Sequence, residues 1–159
     1  ILNRVAVAVS ADPACTAVGF LGDDHRPRTP GWDQHLMEAL ATPGVAYGND
    51  LFQSSKLPTA VVISSQIIRT LGYFVPPGMT HLYLDDYWRQ LGTDIGSFHY
   101  LPDVIIEHMH PAAHKGQWDE GYLRVNSGDM WAADGQAYTQ FIRNRWPADL
   151  AELREALRG

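Results

Sequence analysis

Three short polar clusters each end an apolar run: Asp23-Asp24-His25, Asp85-Asp86 and His108-Met109-His110. Adjacent carboxylates held toward a crevice repel one another, and a divalent cation is the common way to relieve that repulsion. Oxygen ligands suit Mg²⁺ or Mn²⁺, while an added imidazole tilts the preference toward Mn²⁺ or another transition metal. A His-x-His on a strand turns both rings to one face, as metal ligation requires. Taken singly, each cluster has a plain reading: an Asp pair after a strand often makes a turn and a helix cap, and paired histidines often belong to core or surface. Three in this order, each following an apolar run, favour a metal site.

The elements that position these clusters follow from periodicity and punctuation. Residues 2 to 10 are dense enough in apolar side chains for a buried helix, which Asp12-Pro13 ends. Thr16 to Leu21 reads as a strand delivering Gly22-Asp23-Asp24-His25 at its C-terminal end, where open α/β sheets place ligands. Thr29 and Pro30 are expected to cap and open a helix with Trp32, Leu36, Met37 and Leu40 on one face, broken by Pro43-Gly44. Val45 to Tyr47 and Thr59 to Ile63 read as strands, with Gly48-Asn49-Asp50 as a turn between them. Ser64 is expected to cap a helix that Gly72 closes. Asp85-Asp86 begin a short helix ending near Gly92, and carboxylates suit that position. Phe98 to Leu101 and Val104 to His108 read as two strands separated by Pro102-Asp103. His114 to Met130 reads as a loop or lid, Ala137 to Arg145 as a helix, and Pro147 as the start of a last helix with Leu150, Leu153 and Leu157 on one stripe. Strands alternating with helices predict an α/β fold, in one domain over residues 1–159 with 131–159 a helical tail.

Of 159 residues, 45% are hydrophobic and 11% aromatic, enough for one compact core. A formal net charge of -6 argues against a surface built to neutralise a nucleic-acid backbone. No apolar stretch approaches the roughly 18 residues that span a bilayer. The single cysteine, Cys15, fits a reducing compartment, so cytoplasm is the expected location.

The runs GFLGDDHRPRTPGWD, HLYLDDYW and YLPDVIIEHMHP together resemble glycosyltransferases of the GT-A fold, in particular the family-two-like enzymes of actinobacteria and their phages. The resemblance covers about Leu2 to Tyr122. It implies a partial GT-A, Rossmann-like mixed sheet flanked by helices, with C-terminal helices after it. It also implies that an N-terminal nucleotide-gripping portion precedes the opening LNR segment and is not in this sequence. The family's Asp-x-Asp motif holds a divalent metal against a sugar-nucleotide diphosphate. Gly22-Asp23-Asp24 matches its place, with Gly22 where the first aspartate would stand. By resemblance, Asp24 is the direct ligand, Asp23 a partner for ribose or water, and His25 a donor-side substitute. His108 or His110 matches the histidine that completes the metal site. Asp85 or Asp86 matches the general base, with Asp85 slightly favoured. Trp32, Tyr87 and Trp88 would flank the acceptor, and Lys115 would reach donor phosphates.

The implied activity is transfer of a sugar from a nucleotide-sugar donor to a hydroxyl of a carbohydrate or protein acceptor, with inversion and with Mn²⁺ or Mg²⁺. Two other readings compete. Gly-Asp-Asp-His with Gly48-Asn49-Asp50 and His108-x-His110 is similar to binuclear metallophosphoesterases, although Asp50 stands where those enzymes need histidine. A non-catalytic carbohydrate-binding or assembly module derived from a transferase is the third.

Overall fold

The computed structural model describes residues 1–158. It is an α/β structure in which helices flank a five-stranded mixed sheet ordered β1-β4-β3-β5-β2. The strands are β1 (Ala17–Phe20), β2 (His25–Pro27), β3 (Val45–Asn49), β4 (Val61–Ser64) and β5 (Phe98–His108). β3 and β5 run parallel, and the β1–β4, β3–β4 and β2–β5 pairs are antiparallel. The helices are α1 (Leu2–Ser10), α2 (Trp32–Glu38), α3 (Ser65–Leu71), α4 (Leu84–Ile95), α5 (Glu120–Val125), α6 (Gly128–Asn144) and α7 (Trp146–Ala156).

Alternation along the strands sorts side chains to the two faces of the sheet. Val45, Val61 and Ile63 join the larger core, made with α1, α3, α4, α6 and α7. Ala46, Val62, Val104 and Ile106 point the other way, onto Leu36 of α2. The C-terminal helices are integral to the larger core, because Phe141, Trp146 and Leu153 are all buried in it. Asn3 ties α1 down: its Oδ1 accepts from the amides of Phe74 and Val75 at 2.8 and 2.9 Å, and its Nδ2 donates to Val75 O at 2.8 Å.

Several local expectations are corrected. The Thr29 hydroxyl does not cap α2, because β5 takes it: Thr29 Oγ1 accepts from the Ile105 amide at 2.8 Å and donates to Asp103 O at 3.2 Å. Gly31, in the left-handed region at φ 68°, opens α2 instead. Ser64 precedes α3, but its hydroxyl accepts from the Gly44 amide at 3.0 Å rather than from the helix. α4 runs on past Gly92 to Ile95. The expected lid contains α5 and the start of α6, each opened by a side-chain cap, from Asp119 and Ser127 respectively.

The two strands expected around Pro102-Asp103 are one strand with an irregularity. Gly48 of β3 is partnered with Leu101 of β5, and the next residue, Asn49, with Ile105. The intervening Pro102, Asp103 and Val104 therefore add length to β5 with no counterpart in β3. Gly48 permits this, since a Cβ there would lie 2.4 Å from the Val104 carbonyl oxygen.

Candidate metal centre

Three chain segments meet at the C-terminal end of β5. His108 donates its amide to the Asp50 carbonyl at 3.0 Å, and Met109 donates to the Asp24 carbonyl at 2.9 Å. In the β2–β5 register His25 stands directly opposite His108, so their rings share one face and stack at 4.3 Å with 16° between planes. Backbone pairing thus brings together residues 84 positions apart in sequence: Asp24 Oδ2 lies 2.9 Å from His108 Nε2. Asp24 Oδ1 lies 3.3 Å from His25 Nδ1.

Asp24, His25 and His108 form a group whose ligand-type atoms lie within 4.8 Å of one another, close enough to hold one cation. Two features of the chain fit such an ion. His25 Nδ1 accepts from the Gly22 amide at 3.1 Å, so it carries a lone pair and no proton, and it lies 3.3 Å from Asp24 Oδ1; an ion between the two would take that lone pair over from the amide. Gly22 keeps the space beside them open: a Cβ there would lie 2.7 Å from Asp24 Oδ1 and 2.9 Å from His25 Nδ1. A glycine at this position thus has a physical reason in this chain. Two imidazoles and one carboxylate suit Mn²⁺, Zn²⁺ or Fe²⁺ better than Mg²⁺.

Electrostatics bind the cluster tightly. Burial alone would raise Asp24, but hydrogen bonds from His108 and Tyr122, with the His25 ring alongside, hold its carboxyl far below the usual carboxylate range. Burial likewise opposes the charge on His108, and the carboxylates of Asp24 and Asp50 overcome it, lifting the imidazole to about 9. Asp50 is brought down to about 2 against its burial, by His108 and by the amides of Phe52 and Ser54. The Tyr122 hydroxyl donates to Asp24 Oδ2, and burial with that carboxylate pushes Tyr122 well above its ordinary value.

The other expected site residues lie elsewhere or are otherwise engaged. His110 is outside the three-residue group: its Nδ1 accepts from the Ala112 amide at 3.0 Å, capping a short 3-10 turn, and its ring stacks on Phe52 at 5.6 Å. His25, expected on the donor side, joins the group where His110 was expected. Lys115 is committed to Glu107 at 2.8 Å, and Arg28 holds the other oxygen of that carboxylate at 2.9 Å, so its charge is already paired. Asp23 is exposed beside the cluster, with its carbonyl accepting from Arg26 at 2.6 Å.

Tyr87 and Trp88 cannot flank an acceptor in this structure, because they are 0% and 1% exposed within the larger core. The Trp88 indole donates to the Phe74 carbonyl at 3.1 Å. Trp32 is half-buried against the smaller core. Asp85 and Asp86 open α4; Asp86 pairs with Arg89 at 2.7 Å, and burial with the Asp86 charge pushes Asp85 up to about 6. Among the described residues no hydrogen bond or ion pair joins either one to the Asp24 cluster.

Sequence reasoning missed Asp50, Thr59, Phe52 and Tyr122, whereas Trp118 belongs to the stretch expected to close over the donor. Phe52 and Trp118 are 37% and 52% exposed, and both meet the His110 ring, so aromatic surface borders the cluster. Two surface depressions, of about 260 and 450 Å³, lie near Cys15 and Arg69 and near His35 and Tyr100; neither is lined by the cluster. Among the described residues no helix is long and apolar enough to cross a membrane. No protein-family profile, no curated protein and no solved structure matches the chain.

Proposed function

We propose that the protein transfers a glycosyl group from a nucleotide-sugar donor to an acceptor hydroxyl with the help of a divalent transition-metal ion. The observation that carries this reading is the meeting of Asp24, His25 and His108 at the end of β5. These are the residues for which the resemblance implies contact with metal and donor. Bound there, the ion would act as a Lewis acid toward the departing diphosphate. Asp24 would hold it between the two imidazoles, and Asp23, exposed next door, is free to meet ribose or water. The exposed rings of Phe52 and Trp118 suit the apolar face of a sugar. Asp85, raised to about 6, has the proton affinity that suits a general base near neutral pH.

The test is release of nucleoside diphosphate from a panel of nucleotide sugars, with Mn²⁺ and pooled sugar acceptors, on the protein as it occurs in the cell. Asp24→Ala and His108→Ala are expected to lose at least about 100-fold in rate, the scale of an electrostatic contribution to charge development. Parental rates in both variants would end the assignment. A metal-dependent phosphoester hydrolase is the second reading, favoured by Asp50 Oδ2 lying 3.8 Å from His108 Nδ1, which adds a fourth ligand-type side chain. Hydrolysis of a chromogenic phosphodiester, with no nucleotide released from any sugar donor, would select it.

A further inference from the structure

Behind the two imidazoles lies a single carboxylate oxygen that serves both. Thr59 Oγ1 donates to Asp50 Oδ2 at 2.9 Å and sits 3.3 Å from His25 Nε2. The threonine proton is spent on Asp50, so Thr59 can only accept from His25, which puts the imidazole proton on Nε2 and leaves Nδ1 unprotonated, as an acceptor. The Gly22 amide, donating to that same Nδ1, requires the same tautomer. His108 Nδ1 is buried without a hydrogen-bond partner, and Asp50 Oδ2 again lies beside it, at 3.8 Å.

Asp50 is itself held from moving. Its Oδ1 accepts from the amides of Phe52, Gln53 and Ser54 at 2.9, 2.7 and 2.8 Å, and the residue is 3% exposed. The loop that supplies those amides carries Leu51 and Ser54 in the left-handed region, at φ 57° and 53°. A leucine there is uncommon and costs energy, so the surrounding contacts must impose this geometry.

We infer that Asp50, directly toward His108 and through Thr59 toward His25, is a positioning residue that turns both imidazole lone pairs onto the cation held by Asp24. Outer partners of this kind fix the tautomer and orientation of ligating histidines and raise their basicity. The two oxygens of Asp50 have separate roles, with Oδ1 fastening the loop and Oδ2 serving the rings. The inference rests on the metal-holding part of the proposed function and not on glycosyl transfer.

The experiment is calorimetric titration of the metal-free protein with Mn²⁺ and Zn²⁺, for the parent, Asp50→Asn, Thr59→Val and Thr59→Ser. Asp50→Asn is expected to weaken binding by about 10- to 100-fold and Thr59→Val by about 10-fold, the usual scale for lost outer partners. Thr59→Ser, which restores the hydroxyl, is expected to bind within about twofold of the parent, an outcome that loss of packing alone would not give. Nitrogen-15 shifts of His25 supply a second readout: protonation at Nε2 in the parent, and a mixed tautomer in Thr59→Val. Should Asp50→Asn fail to fold, the threonine pair carries the test, since neither change touches the loop amides. Parental affinity with an unchanged His25 tautomer in Thr59→Val overturns the inference and leaves the metal site standing. A parent protein that binds neither ion overturns both.

Discussion

The rings of His25 and His108 lie face to face at 4.3 Å across the β2–β5 pair, with Asp24 bonded to one and adjacent to the other. Two stacked imidazoles cannot both carry charge cheaply at that distance, so a protonated His108 sets a proton against any metal that enters.

That competition fixes a pH dependence. In the metal-free protein His108 holds its proton up to about pH 9, and a cation must displace it from Nε2. Affinity should therefore rise about tenfold per pH unit below 9 and level off above it, leaving binding at pH 7 about 100-fold weaker than the limit. Calorimetry in two buffers of different ionisation enthalpy should count about one proton released per ion bound at neutral pH. Flat affinity between pH 6 and 9 would remove His108 from the ligand set.

Gly22→Ala tests the space beside the ligands. A methyl group there would lie 2.7 Å from Asp24 Oδ1 and 2.9 Å from His25 Nδ1, closer than real contacts allow. Metal affinity should fall at least about tenfold while the melting temperature of the metal-free protein moves little, because the clash is with side-chain tips that can turn away. An unchanged titration would place the ion elsewhere.

Tyr122 tethers α5, a helix with no buried residue, to the cluster through its hydroxyl on Asp24. A hydrogen bond to a carboxylate contributes about 1.5–3 kcal/mol. Tyr122→Phe should speed amide exchange across residues 120–125 by at least about tenfold, with β3 and β4 unaffected. It should also tighten metal binding, by freeing an oxygen of Asp24. Slower exchange or weaker metal binding would contradict both expectations.

Asp85 carries a stability signature of its own. Its carboxyl titrates near 6 in the folded chain against 3.8 as a free side chain, because burial and the Asp86 charge disfavour ionisation. Between pH 4 and 6 the folded state keeps a proton that the unfolded chain releases, so stability falls as pH rises through that window. Asp85→Asn should abolish this slope and gain about 3 kcal/mol at pH 7, read from denaturant unfolding at several pH values. If Asp85 is also the base, the stabilised variant should be inactive in the transfer assay, a combination typical of functional carboxylates. A destabilised Asp85→Asn at pH 7 would refute the strain.

Much of the fold could be read from local patterns. The β-branched run before Ser64, the short Val45 strand, Gly72 as the closing residue of α3 and Pro147 in the first turn of α7 all lie where periodicity and punctuation put them. The pairing of Asp24 with His108 could be anticipated as well, because two strand ends carrying ligand-type residues gain by converging. Local patterns could not supply the partner of each hydroxyl. Thr29 resembles a helix cap until β5 is present to take its side chain. Tyr87 and Trp88 follow two acids, as acceptor-facing aromatics would, yet Leu84, Tyr87, Trp88 and Leu91 have the spacing of a buried helical stripe, a signal already present in the sequence. Asp50 sits in a Gly-Asn-Asp run that reads as a turn, and its carboxylate does hold a loop; its second oxygen had no local signature, because Thr59 and His108 reach it only in three dimensions. Tyr122 lies 98 residues from Asp24, in a stretch without regular apolar spacing.

The unmatched Pro102, Asp103 and Val104 act as a spacer that sets how far the end of β5 projects beyond β3. Three residues of strand measure about 10 Å. Were β5 to run level with β3, His108 would overshoot Asp50 by that distance, and the cluster would have a carboxylate at one end and an imidazole at the other with nothing shared between them. Shortening or lengthening this segment by even one residue would also flip the downstream side chains to the opposite side of the sheet. The length of chain between Leu101 and Ile105 is therefore as much a part of the site as the histidine it delivers, although none of its side chains enters the cluster.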